Sequence, residues 1–393
     1  MSDPGHNEAR RRFLKDLSRG LGGATLAAAG AAPLLGCGSA EEGKPRASQQ
    51  RAPQQDRREA PSLGVALVGL GNYSTGQLAP ALQETERCHL AGVVTGTPAK
   101  ADDWKSKYDL PEQSVYNYDT FDQIAADDRI DIVYVVLPNA MHAEYTIRAA
   151  KAGKHVICEK PMAVSVQECE DMIAACREAG SKLSIGYRLH FEPHHQRVMA
   201  LGQEEKFGPV QAMENTDGFP LGPASNPSVA WRLDHSLAGG GALMDVGIYA
   251  LQAARYTTGE EPTSVRARAF KTQPEKFSEV DENVVWEMDF PSGAAAQCRT
   301  SYTGSFNRLH AEAPEGWFEL EPAYSYGGLE GRTSEGPMNI ENVNQQAAQM
   351  DAFAECIQTG RRSRVPGEEG LRDLRVIEAI YEAVETGGTV EVA

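Results

Sequence analysis

The sequence contains no CxxC pair and no apolar run of the roughly 20 residues that a membrane span needs, and beyond residue 62 it is short of cations. Each absence removes a class of function. The six cysteines after Cys37 (Cys88, Cys158, Cys169, Cys176, Cys298 and Cys356) have no zinc-site spacing and read as small buried hydrophobes, with a disulfide left open. Residues 63 to 393 hold 28 Lys and Arg against 48 Asp and Glu. Such a body repels phosphate backbones and anionic lipid, which excludes a nucleic-acid partner. A metal is also not expected. "HFEPHH" offers His190, Glu192, His194 and His195, but Pro193 interrupts helical pairing and no second ligand cluster accompanies them.

What is present begins with a basic block, Arg10 to Lys15, followed by an uncharged Ala/Gly-rich stretch at 20 to 36 and then "LLGC". Basic end, apolar middle and small residue before a cut mark an export signal over residues 1–37. Its twin arginine resembles the signal of the twin-arginine machinery, which carries folded proteins. Leu34 to Cys37 resembles a lipobox, whose cysteine is lipidated. Residues 38–62 are almost free of apolar side chains and read as a linker or arm. The expected address is extracytoplasmic, with a lipid anchor at Cys37.

The folded body starts at Leu63. "LGVALVGLGNYSTG" places the apolar run Val65 to Val68 before Gly69 and Gly71, the arrangement that brings backbone N–H groups to a pyrophosphate at a helix start. Asn72 and Tyr73 complete this candidate loop. Ser74 stands where the fingerprint has its third glycine, so the context must identify the fold. Strand-like runs recur at 89–95, 131–137, 155–158 and 182–187, separated by helix-like stretches at 76–84, 98–107, 119–127, 142–152 and 165–179. That alternation predicts an α/β fold, with a doubly wound Rossmann domain over 63–186 and ligands at the carboxyl ends of its strands. From 187 to 393 the strand-like segments 209–215, 264–270, 283–290, 294–301 and 316–321 predict an α+β substrate domain with a large, mostly antiparallel sheet. Loops are expected at 216–235 and 302–315, and helices at 343–357 and 367–385.

The second strand ends in Thr95-Gly96-Thr97, with Lys100 next and no carboxylate until Asp102. An Asp or Glu there would hold the ribose 2′-hydroxyl of NAD. Its absence removes repulsion, and Lys100 with Thr97 can bind a 2′-phosphate, so NADP is the expected cofactor.

Two further stretches set polar residues in apolar frames. "CEKPM" carries Glu159 and Lys160 just after a strand, and "GGGALMDVGIYAL" carries Asp245 and Tyr249, four apart and thus on one helix face. Oxidising a carbinol requires a proton to leave its oxygen, and Tyr249 can take it. An ammonium about 4 Å away favours phenolate by roughly 4 kcal/mol at an effective dielectric of 20, or about three pKa units. Lys160 is therefore expected to bring Tyr249 near neutrality, with Asp245 orienting the lysine or the substrate hydroxyl.

Together "VYVVLPNAMHAEYTIRAAKAGKHVICEKPMAVS", "GYRLHFEP" and "WRLDHSLAGGGALMDVGIYALQAARYTTGEEP" resemble the glucose-fructose oxidoreductase family, which includes inositol and dihydrodiol dehydrogenases. The resemblance runs from Leu63 to the C-terminus. It implies a catalytic Lys160, Asp245 and Tyr249, with Pro138, Asn139 and His142 lining the nicotinamide side. Tyr187, Arg188 and His190 would meet substrate or cofactor, and Trp231 and Arg232 the cofactor or sugar. It also implies an open sheet that covers the nicotinamide and pairs with another subunit, giving a homo-oligomer, dimer or tetramer. Tyr249 and Gly96 resemble the sugar-oxidising branch. An exported enzyme would exhaust free NADP, so the expectation is a bound nucleotide that oxidises one sugar and reduces another, with "DRR" at 56–58 in an arm over it. The alternatives are a sugar or dihydrodiol dehydrogenase exchanging free NADP(H), and a non-catalytic anchored sugar-binding protein.

Overall fold

The protein is described here by a computed structural model covering residues 61–392. The export signal, Cys37 and the arm lie outside the described residues.

Six strands form a parallel sheet: β1 (Leu63–Val68), β2 (Cys88–Val94), β3 (Val115–Tyr116), β4 (Ile132–Val135), β5 (His155–Cys158) and β6 (Leu183–Ile185). Their order is β3-β2-β1-β4-β5-β6. The continuous apolar runs exist because both faces are covered. Along β1, Val65 and Leu67 enter one core cluster while Ala66 and Val68 enter another. Helices α1 (Pro98–Tyr108), α2 (His142–Lys151) and α3 (Val166–Glu178) belong to the crossovers. The chain order reverses between β1 and β4, so the carboxyl ends of those strands open a crevice.

Beyond α4 (Pro193–Gln203), nine strands build a second sheet: β7 (Ala212–Gly218), β8 (Ser264–Phe270), β9 (Asn283–Asp289), β10 (Ala295–Ser301), β11 (Phe306–Ala313), β12 (Gly316–Leu320), β13 (Gly331–Thr333), β14 (Gly336–Pro337) and β15 (Thr389–Glu391). The order β14-β13-β12-β11-β7-β10-β9-β8-β15 contains one parallel pair, β7 with β10, and is otherwise antiparallel. One expectation fails here. Residues 302–315 are not a loop but contain β11, which pairs with β7 and β12. Its inward residues Leu309 and Ala311 are small or few, and outward Arg308, His310 and Glu312 dominate the pattern. Likewise β7 continues through Gly218 into the segment read as a loop.

Helix α5 (Ile248–Thr258) lies on this sheet, and α6 (Gln345–Thr359) and α7 (Gly367–Thr386) precede the last strand, β15. The C-terminal stretch returns to the first sheet: Ala347, Met350, Phe353 and Ala354 of α6 share a core cluster with Val65, Leu67 and Ile132. Among the described residues no helix is long and apolar enough to cross a membrane.

Candidate active site

A cleft of about 1030 Å³ lies between the parallel sheet and the open sheet. At its nucleotide end, Gly69 has φ +96°, a conformation glycine adopts freely, and an added Cβ would strike the Val136 carbonyl. Gly71 has no atom within 4 Å of its would-be Cβ, so its backbone stands open to the cleft. Ser74, at the third fingerprint position, is buried and donates to the Gly69 carbonyl (2.6 Å), tying the loop from below. Asn72, Tyr73 and Thr95 line the cleft, and Lys100 folds over the loop to donate to the Leu70 carbonyl (3.1 Å). An open glycine loop before a helical turn, with a lysine beside it and no carboxylate at the end of β2, suits a dinucleotide carrying an extra phosphate. Gly96 and Thr97, expected at the same place, follow Thr95 in the chain but do not line the cleft.

The catalytic candidates converge opposite this loop. Lys160 follows β5 and donates to the backbone carbonyl of Asp245 (2.5 Å) and to its Oδ1 (3.3 Å). Oδ2 of the same carboxylate accepts from Arg232 Nε (2.8 Å) and from the Tyr302 hydroxyl (3.0 Å). Burial pushes the Asp245 carboxyl up, but Arg232 and Lys160 outweigh it and hold the group well below the usual carboxylate range. Burial likewise pulls the Lys160 ammonium down, while Tyr249, Asp245 and Glu159 more than restore it, so it remains charged. The Tyr249 ring lies between two cations, Lys160 Nζ at 4.8 Å and Arg188 Cζ at 5.1 Å from its centroid, and stacks with Tyr324 at 6.1 Å.

The local backbone differs from the expected helix. Leu243–Gly247 is a π-helical turn and α5 begins at Ile248, so Asp245 and Tyr249 are not on a regular four-residue repeat, although both face the cleft. The preceding glycines admit two neighbours. A Cβ at Gly241 would strike the Asp281 backbone and one at Gly240 the Tyr381 hydroxyl. Through this close approach Asp281 accepts from the N–H groups of Gly241 (2.7 Å) and Leu243 (2.8 Å) and from Tyr381 (2.8 Å). It thus caps the turn that carries Asp245.

Pro138, Asn139, Glu159, Arg188, Trp231 and Arg232 also line the cleft. Asn139 donates to the Ala238 carbonyl (2.8 Å), joining the two sheets' segments across the site. Buried Glu159 accepts from the Tyr134 hydroxyl (2.7 Å), and its burial raises its carboxyl pKa. Arg232 packs on Trp231, 4.3 Å from the ring centroid. Buried Arg188 donates to the Gln345 side chain and to the carbonyls of Tyr324 (2.5 Å) and Ser325 (3.1 Å), and its Nε has no hydrogen-bond partner among the described residues.

Besides Gly96 and Thr97, three expected residues are not brought to the cleft wall. His142 is buried, with its ring nitrogens facing the carbonyls of Pro161 and Leu137 (both 2.8 Å), and ties together the segments that follow β4 and β5. Tyr187 and His190 are buried, and burial with nearby Arg255 pushes His190 down to about 3. The remaining histidines of "HFEPHH" are committed: His194 to Glu192 (2.7 Å), and His195 to Tyr256 (2.5 Å) and the Ala323 carbonyl (2.7 Å). Among the described residues no group of His, Cys, Asp or Glu is set to hold a metal ion.

The structure also adds residues that pattern reading passed over: Asp217, Phe219, Tyr302, Tyr324 and Tyr326 reach the site from segments far apart in sequence. A signal existed for Asp217, since polar Asn215 and Asp217 fall on the inward face of a strand. Burial lifts the Asp217 carboxyl to about 7 against the pull of Arg188 and Lys160.

Comparison with known proteins agrees with this architecture. Residues 63–187 match the profile described as oxidoreductase family, NAD-binding Rossmann fold; 195–319 match the GFO/IDH/MocA C-terminal domain; and 334–392 match the oxidoreductase family C-terminal alpha/beta domain. The chain is 33% identical to the D-xylose 1-dehydrogenase [NADP(+)] of Haloarcula marismortui over 83% of this chain and 92% of that protein. It is 30% identical to D-xylose 1-dehydrogenase (NADP(+)) 2 of Haloferax volcanii, over 84% and 98%. Among solved structures, the aldose-aldose oxidoreductase from Caulobacter crescentus complexed with glycerol superposes with a TM-score of 0.81 and 45% identity, covering 84% of this chain and 99% of that one.

Proposed function

The chain belongs to the GFO/IDH/MocA oxidoreductase family, and we propose that it is an NADP-dependent enzyme that oxidises one aldose and reduces another without releasing the nucleotide between the two half-reactions. The observation that carries this reading is Tyr249, set between Lys160 and Arg188 in a nucleotide cleft and beside an ion-paired Asp245. The 45% identity to a protein named as an aldose-aldose oxidoreductase supports the pairing of two sugars, and the NADP(+) dehydrogenase relatives support the cofactor.

NADP, bound along Gly69 to Tyr73 and beside Lys100, supplies the hydride acceptor and donor. Tyr249 takes the hydroxyl proton of the first sugar as its carbon is oxidised, and returns a proton to the carbonyl oxygen of the second. Lys160 supports negative charge on the phenol oxygen and positions the reacting hydroxyl. Asp245, held by Arg232 and Tyr302, fixes Lys160.

The test is one spectrum. The protein as purified, without added cofactor, is mixed with a panel of aldoses while absorbance is followed in the reduced-nicotinamide band. A rise with one sugar and a fall with a second supports ping-pong transfer. Loss of all nucleotide on simple dialysis would instead favour a dehydrogenase that exchanges free NADP(H), a reading that the two relatives named as NADP(+) xylose dehydrogenases support.

The leader belongs to the same proposal. Export of a folded, nucleotide-loaded enzyme by the twin-arginine route, with anchoring at Cys37, reconciles a cofactor made inside with work done outside. Fractionation of cells expressing Cys37→Ser against the parent tests the anchor. Pairing through the open sheet is proposed for a dimer or tetramer, and light scattering reading a monomer would remove it.

A further inference from the structure

The cleft contains a buried carboxylate used neither in the proton relay nor at the nucleotide loop. Asp217 lies near the end of β7, is 8% exposed and lines the cleft. Strand alternation sets Met213, Asn215 and Asp217 on one face. Asn215 donates to the Ala250 carbonyl (3.2 Å), so β7 runs against the turn that bears Tyr249. In register on either side of Asp217 are Thr300 and Asn307. Both are occupied elsewhere: Thr300 donates to the Ala242 carbonyl (3.2 Å), and Asn307 accepts from the N–H groups of Ala323 and Tyr324 (2.6 Å each). The Gly218 backbone N–H lies toward the Asp217 carboxyl, Arg188 and Lys160 attract it, and Asp245 repels it. The hydrogen bonds among the described residues include none from a side chain to this carboxyl.

We propose that Asp217 is the residue that reads the aldose, accepting hydrogen bonds from sugar hydroxyls away from the reacting carbon and thereby setting which aldose is used. This inference rests on the aldose reading above. A carboxylate offers two oxygens with about four lone-pair sites, and a sugar presents hydroxyl donors on adjacent carbons. With the carboxyl ionised, those bonds are charge-assisted and hence stronger than neutral ones. A buried acceptor that only the right substrate satisfies also penalises any analogue lacking the hydroxyl, because the acceptor is then left dry and unpaired. The near-neutral value of the Asp217 carboxyl, raised by burial, fits a group whose hydrogen-bond partner arrives with the ligand.

The experiment uses the full chain with its nucleotide. D-glucose and D-xylose are donors, 2-deoxy-, 3-deoxy- and 4-deoxy-D-glucose are the analogues, and the reduced-nicotinamide band is the readout. In the parent protein, deletion of one hydroxyl is expected to lower kcat/KM by on the order of 100-fold. Asp217→Asn is expected to lower kcat/KM for the parent sugar about 100-fold, mainly through KM, and to bring the ratio between parent sugar and that deoxy analogue close to one. Asp217→Glu, which keeps an acceptor, is expected to retain discrimination. The spectrum of bound nucleotide and the thermal midpoint report whether each variant is folded. If both variants fail to fold, the same ratio is read in Asp217→Ser, which removes the carboxylate with a smaller polar side chain. A ratio near one in Asp217→Ser supports Asp217, and unchanged discrimination overturns the assignment. Aldose turnover with the deoxy ratio unchanged in Asp217→Asn overturns the assignment while leaving the aldose reading standing. No response of the parent protein to any aldose overturns both.

Discussion

Two buried ion clusters sit at opposite ends of the helical stretch 243–258, and they do different things. At the first, Asp245 is shared by Lys160, Arg232 and Tyr302 beside the cleft. At the second, Arg255 bonds Asp373, Glu369 (2.9 Å) and Glu261 (2.6 Å), and Gln252 donates to Asp373 (2.9 Å). Asp373 and Arg255 do not line the cleft; they pin α5 to α7. Burial, pairing and perturbed ionisation are therefore common to both, and cannot by themselves mark a catalytic centre. The distinguishing feature of the first cluster is a phenol, Tyr249, the proton-transfer group proposed above, which lies against its lysine and faces open space.

The comparison is sharpened most by Tyr249→Phe. Turnover should fall by about 10³–10⁴-fold, with bound nucleotide and thermal midpoint retained; activity within tenfold of the parent would remove Tyr249 from the chemistry. At the other cluster the pattern should invert. Asp373→Ala leaves Arg255 buried with less compensation and should cost about 3–5 kcal/mol of stability, read by urea unfolding, while the folded fraction keeps its kcat.

A smaller effect, within the cleft, separates Asp217 from Asp245 by pH. The Asp217 carboxyl is raised to about 7, so between about pH 4 and 7 the folded state binds more protons there than the unfolded chain does. Its contribution to stability is full below pH 4 and declines as pH rises through 7. Asp217→Asn should flatten that decline by a few kcal/mol at most, measured as unfolding free energy at pH 5 and pH 8. Asp245, held low, has the opposite sign: its contribution is present above about pH 4 and is lost only as acid reaches its depressed value.

Asp281 links the two ends, capping the Asp245 turn while bonding Tyr381 of α7. Asp281→Ala should cost about 1–2 kcal/mol and lower kcat more than it raises KM, a split that simple loss of stability would not produce. The smallest change is expected for Lys100→Ala, roughly tenfold in the preference for NADP over NAD, read by nucleotide titration of the stripped protein.

The legibility of these parts in the sequence follows from how local their causes are. β5 and β8 were placed to the residue, since their apolar patterns end at clear turn signals. β11 was missed because alanine is a weak marker of an inward face. Gly69, Gly71, Lys160, Asp245 and Tyr249 were identifiable because short motifs specify the backbone around them. Tyr302 and Tyr324 were not, for each is one ordinary aromatic residue within its own segment, and Asp217 was marked only by the alternation that turns polar Asn215 and Asp217 inward.

The sequence by itself therefore determined the order of elements, the glycine loop before a helical turn, the absence of a carboxylate after β2, and the residue types able to move a proton. These depend on spacing within a few residues. Only the tertiary structure decided that His142, Tyr187 and His190 sit behind the wall, that Arg188 and Lys160 flank one phenol ring, and that Asp217 shares their chamber. Those facts depend on two sheets meeting across hundreds of residues of chain, where burial and charge pairing, not local pattern, select which side chains face the cleft.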